Sequence, residues 1–92
     1  MDTRAFEASL KGDGYEVSTS TSPAHKVTQP HAHDFDVRAL VLAGELTLTR
    51  DGVATTYRPG EVFEMAAGCV HSERYGPEGS ESLVGRRTPP AG

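Results

Sequence analysis

Hydrophobic positions follow one pattern near the N-terminus of this 92-residue chain and another pattern over the rest. Near the N-terminus, Ala5, Phe6 and Leu10 are spaced to lie on one face of a helix. Asp2 or Thr3 is placed to cap the start of this helix, and the segment KGDG is placed to end it. The pattern therefore predicts one short N-terminal helix.

After Gly14 the pattern changes to short runs of β-branched and aromatic residues separated by Gly, Pro and Asp, which is typical of strands and turns. The predicted strands cover residues 15–22, 25–29, 37–42, 45–50, 53–58, 61–65, 69–75 and 81–87. Turns are predicted at RDG (50–52), RPGE (58–61) and GPEGS (76–80), and RDG is the strongest hairpin signal. Many short strands at this spacing predict an all-β antiparallel sandwich or barrel.

The predicted strand that begins at Val37 is apolar on both faces. Val37, Ala39 and Val41 alternate with Leu40 and Leu42, and successive side chains of a strand point to opposite sides. A strand with two apolar faces is usually covered on both. We expect the outer cover to be the N-terminal helix or a second copy of the chain.

Composition and charge narrow the classes of function. Hydrophobic residues make up 36% and charged residues 24%, as in an ordinary folded domain, and the net charge of −4 argues against a nucleic-acid partner. No apolar run approaches the roughly 20 residues of a membrane span, the N-terminus lacks signal-peptide features, and a single cysteine excludes an internal disulfide. We expect one cytoplasmic domain over residues 1–92, with a core of about 14–87, a flexible tail at 88–92 and no membrane partner.

Three histidines form a candidate metal site. His31 and His33 are two residues apart and so project from one face of a strand, and His71 follows forty residues after His31. Imidazole nitrogens suit several divalent transition metals, so the ligand type does not identify the ion. On spacing alone, a solvated strand face is an equally good interpretation of the close pair.

Two segments of the chain resemble the two motifs of the cupin family. The segment PHAHDFDVRALVLAGE (30–45) is similar to the first motif, and YRPGEVFEMAAGCVH (57–71) is similar to the second. The order and spacing of the two segments make the resemblance more specific than either segment alone. The residues that match are His31, His33, Gly44, Gly60, Gly68 and His71.

The resemblance implies an all-β cupin double-stranded β-helix, a small jelly-roll-like barrel, here with a short N-terminal helix. It implies that His31, His33 and His71 hold a divalent transition metal (Fe, Zn, Ni, Mn or Cu). A small-molecule ligand or substrate would enter at one end, and a homodimer is expected because cupins often dimerise through their sheets. The family includes dioxygenases, isomerases, decarboxylases, sensors and storage proteins, so the resemblance leaves open whether this chain is an enzyme.

The carboxylate of the first motif is missing from its expected position, which Val37 occupies. Three interpretations remain open. The metal has an open three-histidine site, or Asp36 becomes the fourth ligand through a one-residue bulge, or the barrel has lost its metal and binds an organic ligand only. The first of these is the leading one, with Asp34 a weaker fourth ligand than Asp36.

Three further side chains are expected to line the cavity. Phe35 follows the alternation of the histidine pair, Val37 takes the position of the missing carboxylate, and Cys69 precedes His71 by two residues. Glu64 and Glu73 are interpreted as solvated strand positions. The leading hypothesis is a metal-binding cupin that acts on a small organic molecule by dioxygenase- or isomerase-like chemistry. The alternative is a non-enzymatic ligand-binding or sensor module, with or without metal.

Overall fold

The computed structural model describes residues 2–89, which form one helix and five strands. In chain order these are α1 (Thr3–Gly12), β1 (Glu16–Ser22), β2 (Asp36–Arg50), β3 (Val53–Tyr57), β4 (Val62–Met65) and β5 (Ser72–Arg87). The all-β class with a short N-terminal helix, predicted from the sequence, is confirmed. The predicted tail at 88–92 extends beyond the described residues. Over residues 2–89, no helix has the length and apolar character needed to cross a membrane.

Helix α1 begins where the sequence predicts. The Asp2 carboxylate accepts a hydrogen bond of 3.0 Å from the backbone N–H of Arg4 and so satisfies one of the free donors of the first turn. Phe6 and Leu10 are the buried residues of the helix, and they pack against Leu40 of β2 on the outer side of the sheet. The helix therefore covers the outer apolar face of β2 at this point. A homodimer stays a prediction.

Strand β2 is the centre of the sheet, whose strand order is β1-β5-β2-β3. On one side β2 pairs antiparallel with β5, from Asp36 opposite Arg87 to Thr49 opposite Ser72. On its other side it pairs with β4 over residues 37–40 and with β3 over residues 46–50. The predicted hairpin at RDG joins β2 to β3. The structure thus places β2 between β5 on one side and two short strands on the other.

Two predicted boundaries are wrong, because β2 and β5 are each one long strand where the sequence indicates two. The pairing between them has register shifts between Val41 and Ala43 and between Gly44 and Leu46. Such bulges bend a strand without ending it. The predicted turn at GPEGS instead lies inside β5, at the same bend. Gly79 has a positive φ of 72° there, a conformation that glycine also adopts in turns.

Residues 25–29, predicted as a strand, form only an isolated bridge between Val27 and Arg74. Pro30 has no N–H to donate, which interrupts regular pairing beyond this point. The segment still lies beside β5, because the Thr28 N–H donates to the Glu73 carbonyl oxygen at 3.0 Å and the Tyr75 N–H donates to that of Lys26 at 2.9 Å. It therefore leads the chain to His31 along the strand that carries Glu73.

The main core lies between β2, β4 and the second half of β5. Side chains at alternate positions of these strands face one another and exclude water. Phe35 and Tyr75 are half-buried against this core, next to the histidines. The buried residues of the main core are Val37, Ala39, Val41, Leu46, Leu48, Phe63, Met65 and Val84.

The bend of β2 depends on Gly44, which gives the first prediction. Its φ is +71°, and a Cβ added there would lie 2.1 Å from the carbonyl oxygen of Gly79. We expect Gly44→Ala to lower the free energy of unfolding by more than about 3 kcal/mol, because backbone strain and a backbone clash add. Urea denaturation followed by far-UV circular dichroism measures this.

Gly52→Ala is the matched control for this prediction. Gly52 has a similar φ of +77° but nothing within 4 Å of its added Cβ. Gly52→Ala should therefore lower the free energy of unfolding by the backbone strain alone, roughly 1–2 kcal/mol. Equal losses in the two variants would contradict the close approach of β2 and β5 at Gly44.

Candidate metal centre

The backbone brings His31 and His71 face to face. The N–H of each residue donates to the carbonyl oxygen of the other at 2.9 Å, which makes them an isolated antiparallel bridge. Directly opposite residues of such a pair project to the same side, and the two ring centroids lie 4.5 Å apart. The ring of His33 lies 5.0 Å from that of His31 and 5.3 Å from that of His71. The structure thus brings together all three histidines singled out in the sequence.

Glu73 joins the three histidines. It follows His71 by two residues in extended chain, so the two side chains share a face. Its Oε1 lies 3.1 Å from Nε2 of His71 and 3.5 Å from Nε2 of His31. One ligand atom from each of the four residues His31, His33, His71 and Glu73 lies within 4.8 Å of the others. The interpretation of Glu73 as a solvated strand position is wrong, because its side chain is only 15% exposed.

Asp36, the alternative fourth ligand, lies outside this cluster, and Glu73 is the carboxylate grouped with the histidines. Its Oδ1 accepts a hydrogen bond of 2.9 Å from the backbone N–H of Ala67, and its Oδ2 lies 3.5 Å from Nη2 of Arg87. The backbone carbonyl of His33 accepts from the N–H of Gly68 at 2.8 Å. Asp36 and His33 therefore hold the turn that precedes His71, so the Asp36 carboxylate positions the loop and is not among the grouped ligand atoms.

The hydrogen bonds of the imidazoles prepare them for a metal. Nδ1 of His31 lies 2.7 Å from the carbonyl oxygen of Gln29, and Nδ1 of His71 lies 2.9 Å from that of Cys69. A carbonyl oxygen only accepts, so each Nδ1 carries the proton and each neutral ring keeps a lone pair on Nε2. This is the tautomer in which Nε2 binds metal.

The contact between His71 and Glu73 is one that a bound cation would stabilise. With Nδ1 of His71 as donor, the Nε2 lone pair faces a carboxylate oxygen at 3.1 Å, which sets two acceptors against each other in a residue only 2% exposed. A metal ion held between the two atoms would resolve this conflict. Neighbouring ligand atoms lie about 3–3.5 Å apart around an ion with bonds of about 2.0–2.2 Å. The donor set, and the distances from Glu73 Oε1 to Nε2 of His71 and of His31, fit a divalent transition metal.

The surroundings hold Glu73 in place. Its N–H donates to Oγ1 of Thr28 at 3.0 Å, and its Oε2 accepts from the hydroxyl of Tyr75 at 2.9 Å. Burial raises the pKa of Tyr75, so the phenol stays protonated at neutral pH and remains a donor. One carboxylate oxygen is thus anchored while the other faces the histidines.

The ring of His33 stacks on Phe35 at a centroid distance of 4.7 Å. Burial lowers the pKa of His33, and the nearby His31, His71 and Arg86 lower it further. The lowered pKa favours the neutral ring, which metal ligation requires.

A cavity of about 190 Å³ adjoins the cluster. Phe35 and Val37 line it, whereas Cys69, also expected there, is not among its lining residues. Cys69 packs against the core from a turn in which its N–H donates to the carbonyl of Ala66 at 3.1 Å. The alternation of a strand does not apply in this turn. Cys69 therefore does not share the face of His71, although it precedes His71 by two residues. The polar lining residues are Ser20, His31, His33, Glu73, Tyr75 and Arg86.

Comparison with known proteins identifies the family. Residues 18–80 match the family model described as the cupin domain. The chain belongs to the cupin family. The matched region includes the three histidines and Glu73. No match is found among curated proteins.

Solved structures share this cupin fold. A protein of unknown function from Rhizobium leguminosarum bv. viciae 3841 is 21% identical, with a TM-score of 0.76 over 84% of this chain and 73% of its own. KdgF from Halomonas sp. is 17% identical, with a TM-score of 0.71 over 83% and 70% of the two chains. A cupin superfamily protein from Desulfitobacterium hafniense DCB-2 is 19% identical, with a TM-score of 0.70 over 82% and 68%. At these identities the similarity shows the fold alone.

The different positions of Glu73 and Asp36 give the second prediction. We expect Glu73→Gln to lower the affinity of this cupin for Zn²⁺ by at least about tenfold, because the amide loses the charge that faces the imidazoles. Asp36→Asn should leave that affinity unchanged, since its oxygen still accepts from Ala67. Competition with a chromophoric chelator measures both values. A loss in Asp36→Asn as large as that in Glu73→Gln would contradict this assignment.

Proposed function

We propose that this cupin binds one divalent transition metal through His31, His33, His71 and Glu73 and acts on a small organic molecule in the adjoining cavity. The observation that carries the proposal is the convergence of three imidazoles and one carboxylate within 4.8 Å. The Nδ1 hydrogen bonds of His31 and His71 support it, because they direct Nε2 towards the shared centre. Iron, zinc, nickel, manganese and copper all suit this donor set.

Each side chain has a separate task in this proposal. When bound, the metal supplies Lewis acidity, or redox chemistry where the ion is iron, manganese or copper. Tyr75 and Thr28 hold Glu73, and the stacking of His33 on Phe35 fixes that ring at the cavity wall. The apolar lining around Val37 excludes water from one side of the cavity, which strengthens electrostatic interactions at the cluster.

A non-enzymatic ligand-binding or sensor cupin is the second candidate function. It is favoured by one observation: among residues 2–89, Glu73 is the only acidic side chain that lines the cavity. If Glu73 binds metal, its carboxylate is not free to act as a general base. A binding module would hold a small molecule beside the metal without converting it.

The third prediction tests the metal site directly. We expect protein purified without an affinity tag to hold one metal per chain and His31→Ala and His71→Gln to hold none, because each removes a ligand. His25→Ala, which removes an exposed histidine outside the cluster, should keep the parent's metal content. Plasma emission spectrometry gives the stoichiometry, and circular dichroism confirms that the variants fold. Equal trace metal in folded parent and variants would contradict the proposal.

The fourth prediction separates the enzyme from the binding module. Iron-loaded protein should consume oxygen with at least one member of a panel of thiols, diketones and phenols, and zinc-loaded protein should not. His31→Ala should abolish consumption because the iron is lost. A panel member that binds, as shown by its nuclear magnetic resonance line broadening, without oxygen uptake or product would favour the sensor.

A further inference from the structure

Arg86 is the cation of the cavity wall. It lies opposite Val37 in the pairing of β5 with β2, and opposite residues of an antiparallel pair project to the same face. Val37 lines the cavity, and Arg86 lines it too, at the exposed mouth. The guanidinium carbon is 5.8 Å from the ring centroid of Phe35, which in turn stacks on His33. Arg86, Phe35 and His33 therefore form one continuous wall from the mouth to the histidine cluster.

Most N–H donors of the Arg86 guanidinium form no hydrogen bond with residues 2–89. Its Nη1 donates to Oγ of Ser18 at 2.8 Å, which fixes the side chain but uses one of five N–H donors. Over residues 2–89, no carboxylate lies within ion-pair distance of Arg86, and Arg86 is the one arginine that lines this cavity. Glu16 of β1 is paired with Arg86 of β5, but the two side chains form no ion pair. Arg86 is thus a fixed cation without an anionic partner.

The residue opposite Arg86 on β2 is Val37, at the position where the first cupin motif carries its carboxylate. That carboxylate would project from the same face as Arg86. Val37 itself carries no charge, while the carboxylate of the cluster comes from Glu73 on the far half of β5. With a divalent metal held by three neutral imidazoles and one carboxylate, the cavity keeps an excess of positive charge.

We propose that the cavity selects a small organic carboxylate, whose carboxylate group binds the guanidinium of Arg86 while its body extends towards the metal. The planar fork of arginine matches the two oxygens of a carboxylate. The volume of about 190 Å³ suits a small ligand, and Val37, Met65 and Val84 favour an apolar body. This inference rests on the proposed function for the metal, but the contact with Arg86 does not require it.

The experiment compares two probes that differ in charge. Zinc-loaded and metal-free protein are each titrated with 2-oxobutanoate and with its uncharged amide, 2-oxobutanamide, and binding is followed in ¹H–¹⁵N correlation spectra. We expect the carboxylate to bind at least about tenfold more tightly than the amide, because it alone gains charge-assisted hydrogen bonds. Arg86→Gln should remove this preference and leave the zinc content unchanged.

Arg74→Gln is the matched control, since Arg74 lies on the same strand and the variant makes the same change in net charge. Arg74 is exposed on the outer face of β5, in a separate surface cleft. The Arg74→Gln variant should keep the tenfold preference for 2-oxobutanoate over 2-oxobutanamide. Equal binding of the two probes, no binding of either, or equal effects of the two variants would overturn this inference. A parent that binds no zinc but keeps a preference that only Arg86→Gln removes would overturn the proposed metal function and support this inference.

Discussion

The long antiparallel pairing of β2 with β5 determines which side chains reach the interior of this cupin. Because opposite residues share a face, this pairing places Val37 with Arg86 near one end and Leu48 with Glu73 near the other. The two ends lie in one cavity because both strands bend at the bulges beside Gly44. The His31–His71 bridge continues the same geometry beyond the strands. The register of β2 with β5 therefore determines both the position of Glu73 beside the histidines and the position of Val37 in the cavity lining.

Local patterns in the sequence predicted helix α1, the hairpin at RDG and the grouping of the three histidines, since each depends on residues close together or on a family motif. They did not predict that β2 and β5 are continuous. A glycine with positive φ at a bulge has the same local signature as a glycine in a turn. Only the approach of Gly44 to Gly79, which are far apart in sequence, distinguishes the two.

Glu73 was missed although the sequence contains its signal. The same two-residue alternation that pairs His31 with His33 also pairs His71 with Glu73. The family motif carries its carboxylate near Val37, so Asp34 and Asp36, which lie beside that position, are the alternatives that the motif indicates. Asp36 instead binds the backbone N–H of Ala67 and holds the turn before His71. Closeness in sequence to Val37 therefore indicates the wrong carboxylate, Asp36. The two-residue alternation of a strand, counted from His71, indicates Glu73.

The position of the carboxylate changes the charge balance of the cavity as well as the ligand set. A carboxylate at position 37 would project from the same face as Arg86, directly opposite it. A carboxylate at position 73 is instead fixed by Tyr75 and directed at His71 and His31, so it neutralises the cluster alone. The guanidinium then remains available at the mouth, separated from the cluster by the Phe35 ring. The position of this one negative charge therefore decides whether a carboxylate of the protein stands opposite Arg86, and its absence there is what makes an external carboxylate the proposed partner.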